Sequence, residues 1–199
     1  MTKKILLGFE VGSGKPVYMS LHHLIVTGLT QKSGKTTTLE ALISRGGIKA
    51  IAFKTKRGEI GFTRYHEISP YFKERSDWQY VESLIEATLR EDQRFNRSWI
   101  IKACRGAKTL RDVHRNVQEL LREARKDSLA EGVYTNLNEY LKLVIPQLEK
   151  FKFSDKLELT DGVNVMDLTE VSREVQALVI RSVMEYAISN LENTVIIIP

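Results

Sequence analysis

The chain has 199 residues, 42% of them hydrophobic and 28% charged, with a formal net charge of +5. That composition suits one domain with a buried core and excludes a disordered or low-complexity chain. No apolar run approaches the ~20 residues of a membrane-spanning helix, and Met1-Thr2-Lys3-Lys4 leads into no signal-peptide core.

The single cysteine, Cys104, excludes an internal disulfide framework and fits a reducing, cytoplasmic compartment. Its setting, Trp99-Ile100-Ile101-Lys102-Ala103, makes it a small core residue rather than a nucleophile. The histidines His22, His23, His66 and His114 show no zinc-ligand spacing.

In chain order, Ile5-Leu6-Leu7 and Val17-Tyr18-Met19 predict two short strands about the turn Gly12-Ser13-Gly14-Lys15-Pro16. Pro16 takes the Ser/Thr place and no helix follows, so this turn is not a phosphate loop. Leu24-Ile25-Val26 then reads as a buried strand, followed by a small polar loop, Gly34-Lys35-Thr36, and a helical pattern over 37–45. Strand, glycine loop and helix in that order are the context of a phosphate-binding loop. Backbone N–H groups converge at such a helix start, and the macrodipole adds positive charge there. Lys35 would face the outer phosphates, and the Thr36 hydroxyl would ligate Mg²⁺. In G-x-x-x-x-G-K-[ST] the glycines stand five apart, whereas Gly28 precedes Gly34 by six. Either Leu29 occupies the first glycine position or the loop has one extra residue.

Gly46-Gly47 stops the helix as a left-handed cap. Ala50-Ile51-Ala52-Phe53 is a second buried strand. It runs into the basic loop Lys54-Thr55-Lys56-Arg57-Gly58-Glu59, at the strand's carboxyl end, where open α/β sheets bind ligands. Residues 65–76 read as irregular around Pro70. Four helical segments follow. Ser76 with Gln79 forms a capping box ahead of a face of Val81, Leu84, Ile85, Thr88 and Leu89; a short apolar piece spans 98–104. Thr109 opens a helix with Leu110, Val113, Val117, Leu120, Leu121 and Ala124 inward and Arg111, Arg115, Arg122, Arg125 and Lys126 outward. Asn136 or Asn138 opens a fourth through Leu141, Val144 and Leu148, kinked or divided by Pro146. The stretch 75–151 thus reads as a mainly helical insertion in a single α/β domain over 1–199. Val163-Asn164-Val165-Met166-Asp167-Leu168 alternates as a strand. Thr169 caps a helix whose inner face is Val175, Leu178, Val179, Val183, Tyr186 and Ala187. Thr194-Val195-Ile196-Ile197-Ile198 is the most strand-like run of the chain.

Ile5-Leu6-Leu7-Gly8, Gly14-Lys15-Pro16-Val17, His23-Leu24-Ile25-Val26-Thr27-Gly28 and Ser33-Gly34-Lys35-Thr36 resemble the lead-in of the HerA/FtsK superfamily. That group holds DNA-translocating, conjugation and genome-packaging ATPases. Val165-Met166-Asp167-Leu168, the amphipathic helix after it and Val195-Ile196-Ile197-Ile198 resemble the approach to its Walker B strand. The resemblance implies a RecA-like P-loop NTPase core, ATP and Mg²⁺ as cofactors, DNA bound without sequence preference, and a homo-oligomer, commonly a hexameric ring. Carried over, Ser33, Gly34, Lys35, Thr36 and Thr37 match phosphate and Mg²⁺ positions. With Gly28, Thr30, Gln31 and Lys32 they make up the ATP-binding set, and Thr36 is the Mg²⁺ ligand.

The resemblance implies a catalytic carboxylate after the Walker B strand, and two placements compete. In one, 194–198 is that strand, Pro199 stands where its Asp would be, and the chain is the N-terminal part of a longer ATPase. In the other, 163–167 is that strand, Asp167 helps hold Mg²⁺, and Glu170 is the nearest carboxylate. The unbroken apolar run Val195 to Ile198 favours the first, as a strand covered on both faces, since Asn164 interrupts the other. Two further functions remain open, a nucleotide-binding switch without turnover and a small-molecule P-loop kinase, for which no acceptor carboxylate or arginine-rich lid can be assigned.

Overall fold

The computed structural model describes residues 4–20, 34–58, 61–87, 97–126 and 128–197. They form two compact units, one of residues 1–68, 158–167 and 190–199, the other of 69–157 and 168–189.

The first unit opens with the hairpin expected from sequence. Strands β1 (Lys4–Phe9) and β2 (Pro16–Ser20) pair antiparallel, with a register shift between Leu6 and Gly8. Helix α1 spans Lys35–Gly46, and Gly47, at φ 52°, sends its N–H back to the Ile43 and Ser44 carbonyls. A left-handed turn of this kind is accessible to glycine at little cost. Next come β3 (Lys49–Lys54), β4 (His66–Ile68), β5 (Gly162–Asp167) and β6 (Thr194–Ile197). They make one parallel sheet in the order β4-β5-β3-β6. The unit is therefore α/β with a parallel sheet, as its run of strands and helix requires.

Successive strand residues point to opposite faces. One face is set by Ala50 and Ala52 of β3 and Val163 and Val165 of β5, packed with Leu42 and Ile43 of α1 and with Ile5. Val195 and Ile197 of β6 extend this face and are only half-buried. Among the described residues β6 pairs with β3 alone and stands at the sheet edge, whereas its composition reads as that of a covered central strand. Strand β4 falls in the stretch expected to be irregular. It is three residues long and mostly exposed, so it carries no apolar alternation for sequence to show.

Asn164 does not interrupt β5. It is fully buried, and its Oδ1 accepts from the Thr160 N–H (2.9 Å) and hydroxyl (3.0 Å). Its Nδ2 donates to the carbonyls of Thr160 (2.8 Å), Ala50 (3.1 Å) and Gly162 (3.2 Å). A buried amide so fully paired avoids the desolvation cost that would otherwise break a central strand.

The second unit is helical: α2 (Trp78–Glu86), α3 (Arg97–Cys104), α4 (Leu110–Glu123), α5 (Leu129–Lys150) and α6 (Arg173–Asn190). Several helix starts differ from the sequence expectation. Asp77, not Ser76, caps α2, accepting from the Tyr80 N–H at 2.9 Å. Val81, Leu84 and Ile85 are buried as expected, while Thr88 and Leu89 lie outside the described residues. Thr109 does open α4, in a reciprocal box with Asp112. Helix α5 begins well before Asn136, behind the Ser128 cap, and runs on through Pro146. Asn138 is inside it because its side chain is taken by His114 (3.0 Å) rather than by a helix end. Helix α6 starts at Arg173, so Thr169 sits in the preceding turn and is not its cap. Its expected inner face holds, with Val175, Leu178, Val179, Val183 and Ala187 buried, while Tyr186 is half-buried against Tyr71.

Cys104 is fully buried, and that burial pushes its thiol up to about 12, so it is inert as a nucleophile. Among the described residues no helix is long and apolar enough to cross a membrane.

Candidate functional site

Helix α1 starts abruptly. Gly34 is left-handed at φ 76°, and Lys35, Thr36 and Thr37 form the first helical turn. The N-cap position is a glycine, which brings no side chain of its own, and no acidic residue lies in the first turn, whereas Asp77, Thr109 and Ser128 cap α2, α4 and α5. The N–H groups of a helix start and the positive end of its dipole favour an anion at such a place. Lys35 and Thr36 are half-buried and Thr37 is exposed. Gly28, Thr30, Gln31, Lys32 and Ser33 lie outside the described residues.

The segment after the basic loop is fastened to this turn. A Cβ on Gly61 would stand 3.0 Å from the Thr36 hydroxyl oxygen, tighter than an ordinary contact, so any side chain there would have to push Thr36 aside by a few tenths of an ångström. One turn along α1, the Glu40 carboxylate accepts from the Thr63 hydroxyl (2.7 Å), the Arg64 N–H (2.8 Å) and the Thr63 N–H (3.1 Å). Sequence offers no sign of this clamp, because Glu40 looks like an ordinary helix-surface acid.

The sheet supplies the third part. Lys54 follows Ala50 and Ala52 on one face of β3, and Asp167 follows Val163 and Val165 on the same face of β5, in register with Lys54. Their side chains meet at 2.5 Å, and hydrogen bonding to Asp167 holds the Lys54 ammonium above the usual lysine range. Glu67 and Tyr65 add to that shift. Lys54 thus ends a strand rather than belonging to the basic loop, of which Lys56 and Arg57 are exposed. For the alternative in which Asp167 holds Mg²⁺, its carboxylate is already engaged by a cation. Glu170 is exposed and belongs to the second unit.

Among the described residues no three His, Cys, Asp or Glu side chains gather as a metal cluster. The single hydroxyl of Thr36 suits Mg²⁺ nonetheless, since that ion binds through one or two protein oxygens, waters and substrate phosphates.

In the second unit, the arginine face of α4 is partly consumed. Arg111 pairs with Glu149 (2.6 Å) and Arg115 with Asp112 (2.9 Å). Arg122, Arg125 and Lys126 are exposed and make no ion pair among the described residues. A groove of about 660 Å³ lies in this unit over Leu110, Leu148 and Phe153. It is rimmed by both members of the Arg111–Glu149 pair.

No model of a known protein family matches the chain, and no curated protein matches it.

The Glu40 clamp has a pH signature. Its hydrogen bonds to Thr63, chiefly, hold its carboxyl below the usual glutamate range. A depressed folded value means the contribution is present above the unfolded value and lost as pH falls through the folded one. Exchange protection of the Thr63 and Arg64 amides should persist through the usual glutamate range and vanish below it. Glu40→Ala should abolish that protection at every pH, read by amide hydrogen exchange.

Proposed function

We propose that the first unit binds Mg²⁺-ATP at the start of α1, and that the chain is the ATP-binding core of a DNA-translocating or packaging ATPase of the HerA/FtsK kind. The observation that supports this most is the α1 terminus, which begins at Lys35-Thr36 directly after a left-handed glycine and has no acidic residue in its first turn. In this proposal the core is RecA-like and works as a homo-oligomeric ring in the cytoplasm. Backbone N–H groups of the first turn hold phosphate oxygens, Lys35 neutralises the outer phosphates, and Thr36 ligates Mg²⁺. Gly28, Thr30, Gln31, Lys32 and Ser33 complete the phosphate loop by sequence. Hydrolysis further requires a group that orients the attacking water.

A second reading, nucleotide binding that switches a partner without turnover, is favoured by one observation. Asp167, a candidate carboxylate on the sheet, is engaged by Lys54. Stimulation of phosphate release by DNA separates the two readings.

Lys35→Ala removes the charge facing the outer phosphates. A charge-assisted contact is worth roughly 1.5–3 kcal/mol, about tenfold or more in affinity. Calorimetry should show ATP weakened by that factor and AMP much less; equal ATP affinity in both proteins would end the nucleotide assignment.

In this proposal DNA is contacted by Arg122, Arg125 and Lys126, which make no ion pair among the described residues. Phosphate contacts release counterions, each adding roughly one unit to the slope of log affinity against log salt. Replacing all three by Glu should lower that slope by about three, with little dependence on base sequence. Arg111→Ala, which removes a cation already held by Glu149, should change it far less. Fluorescence anisotropy over a salt series reads both.

A further inference from the structure

The Lys54–Asp167 pair is an odd choice for its place. It occupies the one sheet face that α1 covers, directly beyond Ala52 and Val165, where an apolar pair would continue the core. Helix α1 turns at Gly47 straight into β3 and packs on β3 and the parallel β5, so it runs back against them and their carboxyl ends lie toward its start. The loop leaving Lys54 reaches that same start, since Gly61 rests on Thr36 and Glu40 holds Thr63 and Arg64.

We propose that Lys54 is a second phosphate-facing cation of the site, parked on Asp167 until a nucleotide bearing outer phosphates arrives. This rests on the nucleotide assignment above and deepens it. The side chains of Lys54 and Asp167 are 22% and 28% exposed, so the pair is neither sealed in the core nor fixed by burial. A lysine ammonium on a flexible four-carbon stem exchanges partners readily. A polyphosphate carries more charge than one carboxylate and outcompetes it for the ammonium. No bond is made or broken; Lys54 moves from one anion to another. Once Lys54 leaves, the Asp167 carboxylate faces the phosphates as a like charge. Asp167 therefore opposes binding, and the balance sets how strongly the site prefers ATP over AMP.

A purely structural cross-strand tie makes a different prediction. Removing either partner of a tie shifts nucleotide affinity in the same direction, or not at all. With Lys54 parked, the two substitutions act with opposite sign. Calorimetry of Mg²⁺-ATP and of AMP on the full chain decides between them, with thermal unfolding as the check on folding. Lys54→Met should weaken Mg²⁺-ATP about tenfold, the size of one charge-assisted contact, and leave AMP unchanged. Lys54→Arg should restore most of that loss, and Asp167→Asn should tighten Mg²⁺-ATP severalfold. Weaker ATP binding by Asp167→Asn, or ATP affinity indifferent to both sites, would overturn the proposal even if Lys54→Met failed to fold. Should ATP binding respond to Lys35→Ala but not to Lys54 or Asp167, only this inference falls. If the wild-type chain binds no ATP, the nucleotide assignment falls and this with it.

Discussion

Helix α1 lies across one face of β3 and β5 because that face is built of Ala50, Ala52, Val163 and Val165, against which Leu42 and Ile43 pack. Each fully buried branched side chain contributes about 1.5–3 kcal/mol of apolar transfer, so this contact fixes both the helix and the register of the strands beneath it. Register is what the site depends on. With a side-chain period of two, the next residues on the same face are Lys54 and Asp167. A slip of one residue would turn both to the other face and place Phe53 and Met166 under α1.

Helix α1 is then held at two places. Its far end packs on β3 and β5 through Leu42 and Ile43. Beside its start, Gly61 touches Thr36 and Glu40 grips Thr63 and Arg64. At the N-cap position, where α2, α4 and α5 carry Asp77, Thr109 and Ser128, α1 carries the left-handed Gly34. The difference is local and chemical. Three helices of the second unit start behind a side-chain cap, while α1 starts behind a glycine with no acid in its first turn, which suits an anion.

Features encoded within a few residues were legible in the sequence. Gly34-Lys35-Thr36 as a helix start, Gly47 as its stop, the β3 and β5 strands and the Thr109 cap all follow from local pattern. Helix starts went astray where several capping residues lie close together. Asp77 competes with Ser76, and Ser128 with Asn136 and Asn138, and the residue pattern alone does not rank them. The clamp and the ion pair were out of reach for a different reason. Glu40 and Thr63 are 23 residues apart, and Lys54 and Asp167 are 113 apart, so neither contact exists until the sheet has formed. Asn164 misled by its polarity, which Thr160, Ala50 and Gly162 satisfy in full. The arginine stripe of α4 misled by its count, since two members are tied to Glu149 and Asp112.

An amide-resolved nuclear magnetic resonance titration of the full chain with Mg²⁺-ATP tests nucleotide binding at α1 most directly. Binding there predicts saturable shifts centred on Gly34 to Thr37, spreading to Lys54, Gly61, Thr63, Arg64 and Asp167, with AMP producing weaker changes at the same amides. A spectrum unchanged by millimolar Mg²⁺-ATP, or shifts confined to α2 through α6, would contradict it.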